Sequence, residues 1–124
     1  MVYKDYFGKE HRLHSKLFPK FAEVRSILEK NADDLRMSEL WLFGSVARGD
    51  YDLESDIDFM VVVDDPNVRK ASSIKVELLD VREDMYYPNV DVIVRTRRAM
   101  EDLDDFFAAN VRRDHIVLWR RNRE

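Results

Sequence analysis

The chain has 124 residues, 45% hydrophobic and 37% charged, with 21 basic against 25 acidic residues and a formal charge of −4. This is enough for one hydrophobic core and a single domain over 1–124, and the acidic balance argues against a general nucleic-acid coat, which needs a basic surface to neutralise phosphates. There is no cysteine, which excludes disulfides, thiolate metal sites and cysteine nucleophiles. No apolar run approaches the roughly 20 residues of a bilayer span, and Met1–Tyr6 carries no apolar signal core, so a cytoplasmic location without a membrane partner is expected.

Leu13, Leu17, Phe18, Phe21, Val24, Ile27 and Leu28 recur at helical spacing and predict an amphipathic helix over about 11–31. Pro19 falls inside the pattern, so that helix either kinks there or begins near it. Residues 39–43 read as a strand, which Gly44-Ser45 breaks before a short helical turn over 46–48. Asp56 to Val63 is a second strand, rich in β-branched and aromatic residues. Asp64-Asp65-Pro66-Asn67 ends it and can cap a helix over about 68–85, with Ile74, Val76, Leu78, Leu79 and Val81 inward and Tyr86-Tyr87-Pro88 as its break. A third strand over 90–94, a helix over about 98–110 with Met100, Leu103, Phe106 and Phe107 inward, and a closing strand over 116–119 complete the pattern. The order α-β-α-β-α-β-α-β predicts an α/β (α+β) fold, helices on a small sheet, with a core over about 38–119 behind the leading helix.

Chemistry concentrates between the first two strands. Residues i and i+2 of a strand share a face, so Asp56 and Asp58 present carboxylates about 7 Å apart. Two ionised carboxylates that close repel, and one takes up a proton unless a cation lies between them. Mg²⁺ suits the pair, because it takes hard oxygen ligands from one or two carboxylates and from substrate phosphates. Two such ions would stabilise both the attacking and the leaving oxygen of a phosphoryl displacement. A third carboxylate is needed from a neighbouring element, and Asp91, read as an acid in a buried strand, is the candidate. A salt bridge from Asp91 to Arg95 or Arg97 is the structural alternative.

Gly44 lets the backbone turn sharply and lets a phosphate approach the main chain, while Ser45 and the amides after it can open a short helix that attracts anions. The Ser45 hydroxyl is a phosphate donor in this reading, since no suitably placed His marks a base. Arg48, one turn on, contacts the triphosphate or pairs with Asp50 or Asp52.

Three motif matches in this stretch fail. Gly44 to Gly49 has the spacing of a P-loop, but Asp50 and Tyr51 stand where Lys and Ser/Thr are required. Asp50, Asp52 and Glu54 alternate like a calcium loop, but Ser55 replaces its glycine and Val61 its bidentate glutamate. Arg48-Gly49-Asp50 spells an adhesion tripeptide with no secretion signal to give it context. Elsewhere, Arg95, Arg97 and Arg98, and Arg112, Arg113, Arg120, Arg121 and Arg123, form either a solvated helix end and tail or a docking surface for an acidic partner. His11, His14 and His115 are too scattered to suggest a metal cluster.

Gly44-Ser45, ten intervening residues and Asp56-Ile57-Asp58 resemble the G-S-x10-D-x-D signature of the DNA polymerase beta-like nucleotidyltransferase superfamily. The wording Phe43-Gly44-Ser45-Val46-Ala47-Arg48-Gly49 and the closing Asp114-His115-Ile116-Val117-Leu118-Trp119 are similar to its minimal nucleotidyltransferase branch. The motif, its flanking strands and Asp91 span most of residues 39–94. The resemblance implies a nucleotidyltransferase fold and transfer of a nucleoside monophosphate from an NTP to a hydroxyl, with release of pyrophosphate. It implies Asp56, Asp58 and Asp91 as catalytic Mg²⁺ ligands, Asp91 also helping to activate the acceptor, and Gly44 and Ser45 as triphosphate binders.

Larger relatives carry a helical domain that binds the acceptor, and the chain is expected to lack one. Minimal members pair with a helical HEPN protein, several of them as antitoxins that adenylylate a tyrosine of that toxin, which implies ATP and a HEPN toxin as partners, with oligomers open. Two other readings stand beside this: an antitoxin that neutralises its partner by binding alone, and an aminoglycoside-type transferase completed by a second chain.

Overall fold

The computed structural model describes residues 1–81 and 88–122. The elements in chain order are β1 (Val2–Lys4), β2 (Glu10–Arg12), α1 (Phe18–Lys30), β3 (Glu39–Phe43), α2 (Gly44–Arg48), β4 (Ile57–Val63), a 3₁₀ turn (Pro66–Val68), α3 (Arg69–Leu78), β5 (Val90–Thr96), α4 (Arg97–Met100), α5 (Phe106–Asp114) and β6 (Ile116–Arg120). Four of the strands form a mixed sheet in the order β5-β4-β3-β6. β3 runs antiparallel to both β4 and β6, while β4 and β5 are parallel. A parallel pair needs a long crossover, and the segment carrying α3 supplies it. The expected small mixed sheet flanked by helices is what forms.

Alternation along the strands divides the apolar residues between two cores. Ile57, Phe59, Val61 and Val63 of β4, with Leu40 and Leu42 of β3 and Val92 and Val94 of β5, pack with Phe21, Val24 and Leu28 of α1 and Val76 of α3. Met60 and Val62 point the other way, joining Trp41, Phe43, Val117, Met100, Ala108 and Val111 in a second cluster. Met100 of α4 and Ala108 and Val111 of α5 cover that second face, and Phe107 of α5 reaches Phe43, opposite Asp58.

Several local expectations change. The leading helix starts at Phe18, with Pro19 in its first turn, so Pro19 marks a start and not a kink. Residues before it form a β1–β2 hairpin, in which Tyr3 pairs with His11 and stacks between it and Phe21, at 5.1 and 4.5 Å between ring centres. Burial pushes the Tyr3 hydroxyl up to about 12. The Asp5 carboxylate closes the hairpin by accepting from the amides of Phe7 and Lys9.

The helix expected over 98–110 is two helices. Asp102 accepts from the Asp104 amide in the break, and Asp105 caps α5 by accepting from the Ala108 amide. Met100 is buried as expected, but Leu103 and Phe106 are 85% and 88% exposed, so those two inward assignments fail. Helix α3 stops at Leu78, short of residue 85, and Ile74 and Leu78 face solvent, while Val76 and Val81 are buried. The expected break at Tyr86-Tyr87 lies outside the described residues. No helix among the described residues is long and apolar enough to cross a membrane.

Among the described residues, Arg112, Arg120 and Arg121 fasten the fold, Arg113 makes an exposed pair with Asp114, and Arg123 lies outside the described residues. Arg121 donates to the carbonyls of Met37 and Ala32 and to the Asp33 carboxylate at 2.7 Å. Arg112 donates to the carbonyls of Met100 and Asp102, tying α5 to the end of α4. Arg97 and Arg120 both pair with Glu39, which is 2% exposed at the start of β3 and also accepts from the Trp41 indole. Burial works against the Glu39 charge, but these donors outweigh it and hold the carboxyl below its usual range. Glu39→Ala is expected to cost about 2 kcal/mol in denaturant unfolding, below the 3–5 of a fully buried pair, because both guanidiniums reach solvent and can rehydrate.

Candidate active site

Gly44 ends β3 with φ +76, in the left-handed region that other residues enter at a cost. It has a second reason to be glycine: a Cβ at this position would collide with the Asp58 carboxylate oxygen. The close approach of turn and carboxylate is therefore built into the backbone. From Gly44 the chain enters α2, with Ser45 half-buried and Val46 in the main core, and leaves it through Gly49 at φ +87.

Register places the acids. Asp58 lies opposite Phe43 on β3 and beside Asp91 on β5, so Asp91, Asp58 and Phe43 form one row across three strands. Asp56 stands two residues before Asp58, immediately ahead of β4. Asp91 is exposed near the start of β5, which corrects the expectation of a buried acid. The alternative salt bridge is absent: Arg95 donates to the Val94 carbonyl, and Arg97 is engaged by Glu39 and Asp64. Asp58 is half-buried. Burial, then the charges of Asp91 and Asp56, push its carboxyl up to about 6, with Arg48 opposing the rise.

Arg48 donates through Nε to Asp50 at 3.2 Å, an exposed pair that realises the Asp50 alternative and leaves Asp52 out of it. Asp52 instead organises its own loop, accepting from the Glu54 amide and donating its amide to Ser55. The Tyr51 hydroxyl accepts from the His14 amide at 2.9 Å and ties this loop to the segment before α1.

Among the described residues, no three His, Asp or Glu side chains converge closely enough to enclose an ion on their own. Side-chain oxygens on neighbouring strands, with uncompensated negative charge at Asp58, suit a hard cation that draws the remainder of its shell from water and substrate phosphates. They do not suit an all-protein cage.

Two clefts lie nearby or compete. One of about 210 Å³ adjoins Gly44 between α2 and α5, lined by Phe43, Gly44, Arg48, Phe107, Asn110 and Val111. Sequence reading placed Phe107 in the core and passed over Asn110, although their i, i+3 spacing puts both on one helix face. A larger cleft of about 520 Å³ opens at the other end of β3, around Glu39, Arg97, Arg120 and Arg121. Its three guanidiniums are paired with Glu39 and, outside the lining, Asp64 and Asp33, whereas Asp58 stands beside two further acids.

The nucleotidyltransferase domain family matches residues 23–117, a span that begins in α1, ends in β6 and contains the whole row. The chain belongs to that family. A Methanocaldococcus jannaschii protein, provisionally named a protein adenylyltransferase, is 36% identical over 78 residues, covering 60% of this chain and 77% of the relative. A crystal structure of a provisionally assigned nucleotidyltransferase from Sulfolobus solfataricus shares the fold, with TM-score 0.51 and 19% identity over 88% of this chain and 91% of that one. A toxin–antitoxin structure with AMP-PNP overlaps more loosely, with TM-score 0.47 and 21% identity over 81% of this chain and 73% of that one. In this nucleotidyltransferase domain Gly44, Ser45, Asp58 and Asp91 lie on the turn and strands that meet at Asp58.

Proposed function

We propose that this domain transfers AMP from ATP to a hydroxyl of a partner protein, a tyrosine of a helical HEPN toxin, and so acts as that toxin's antitoxin. The observation that carries the transfer reading is the Asp91–Asp58 pair set in register beside Gly44. The acceptor class is supported by the 36% identical relative, whose name describes a protein adenylyltransferase.

Asp56, Asp58 and Asp91 would hold Mg²⁺, in one or two ions. When bound, Mg²⁺ supplies charge neutralisation at the reacting phosphate and the leaving pyrophosphate. The chain's own part is positioning. Gly44 leaves main chain open at the phosphates, and Ser45 offers them a hydroxyl donor. Arg48 is close enough to Asp58 to lower its proton affinity and lines the adjoining cleft, and a triphosphate would compete with Asp50 for its exposed guanidinium. Asp91, exposed at the edge of the row, takes the proton of the acceptor hydroxyl as that oxygen bonds to the α-phosphorus. The bond from the α-phosphorus to the bridging oxygen breaks, and pyrophosphate departs.

ATP labelled at the α-phosphate, incubated with Mg²⁺, the domain and candidate helical partners, is expected to label the partner. The label should disappear with Asp56→Asn combined with Asp58→Asn. Neutralisation that survives this double change, with no label on any partner, would instead establish an antitoxin that works by binding alone.

A further inference from the structure

The cleft beside Gly44 shares Gly44 and Arg48 with the proposed phosphate site, and it begins where the Asp91–Asp58–Phe43 row ends. Phe43 is the third member of that row, and Phe107 packs edge-on against it, 5.7 Å between ring centres at an interplanar angle of 87°. That contact fixes the Phe107 ring while the residue stays 41% exposed. Asn110 lies one turn along the same face of α5, exposed, and its side-chain amide makes no hydrogen bond to any described residue. Val111 and Phe43 supply an apolar floor, and Arg48 borders the cleft on the Gly44 side.

We propose that this cleft receives the base of the nucleotide, stacked on Phe107 and hydrogen-bonded along its edge by Asn110. The assignment rests on the transfer reading above, because the row fixes where the phosphates lie. The size agrees: about 210 Å³ falls below the ~300–1,000 Å³ of pockets that hold a complete drug-sized ligand, and so suits one ring system with the phosphates outside. The lining agrees as well. Aromatic faces accept a base of any sequence, and an Asn amide, donor and acceptor together, matches the N6 and N7 edge of adenine but not the two acceptors that guanine presents there. ATP is therefore favoured over GTP.

Calorimetric titration of the full chain with Mg²⁺ and either ATP or inorganic tripolyphosphate tests this. Phe107→Ala is expected to weaken ATP about 10-fold, with tripolyphosphate unchanged and Phe107→Tyr restoring the affinity. Asn110→Ala should reduce the preference for ATP over GTP. If Phe107→Ala binds ATP like the unmodified chain, or loses ATP and tripolyphosphate equally, the base assignment is overturned and the phosphate site stands. If the unmodified chain binds neither ligand, both assignments fall.

Discussion

Changing Asp58 to Asn is expected to make the metal-free protein more stable above about pH 7 while reducing transfer by at least ~100-fold. The stability half follows from linkage. The folded state raises the Asp58 carboxyl from 3.8 to about 6, so folding favours the protonated form. Its contribution is fully present below the unfolded value of 3.8 and is lost as pH rises through about 6. At higher pH the chain carries a half-buried charge beside two others, at a cost of roughly 1–3 kcal/mol. Asparagine fills the same space without the charge. Melts of both proteins in chelator should therefore coincide below about pH 4, diverge between about pH 4 and 6, and stay apart above that, with the variant higher. Mg²⁺ with ATP should close that gap by stabilising the unmodified chain alone. A difference that stays the same across pH would sink this account.

Gly44→Ala acts on the same contact from the other side. Alanine at φ +76 costs about 1–2 kcal/mol in backbone strain. Its methyl group also meets the Asp58 carboxylate, and relieving that clash moves either the β3 end or the acid. Together these should destabilise the fold by about 2–4 kcal/mol. The remaining folded protein should lose Mg²⁺-dependent ATP binding, because turn and carboxylate no longer share one position. The double change Gly44→Ala with Asp58→Gly separates the terms. It should recover the clash portion of the stability and leave the strain portion, whereas no recovery would mean that the contact is not what requires glycine.

The site was legible because its chemistry is local in sequence. Gly44, Ser45, Asp56 and Asp58 flank one loop, although β4 starts only at Ile57, so the i, i+2 rule of a strand does not reach Asp56. Asp91 stands out by its type, but its exposure does not: Val90, Val92 and Val94 of β5 are buried on one face, while Asp91 lies on the less covered one. The arginines misled because a basic run looks the same whether its partners are solvent or carbonyls more than eighty residues away, as for Arg121 and Met37. The β1–β2 hairpin left no periodic signal, since strands of three residues are too short to alternate. Around 98–110 the apolar spacing imitated one helix, and the competing signal was Asp102, Asp104 and Asp105, turn and cap formers that outweighed it. The Phe107–Asn110 face could have been found from its i, i+3 spacing, but nothing in the sequence says what α5 packs against.

The parallel pairing of β4 and β5 has a kinetic side. Asp58 and Asp91 come into register only when a loop of more than thirty residues has closed. The antiparallel β3–β4 contact, which brings Gly44 to Asp58, spans a much shorter separation. Loop closure costs entropy before any contact repays it, and non-local pairing is the slow part of folding. The turn and the first acid can therefore meet before the second acid joins them, and the β3–β6 pairing, across more than seventy residues, is more distant still.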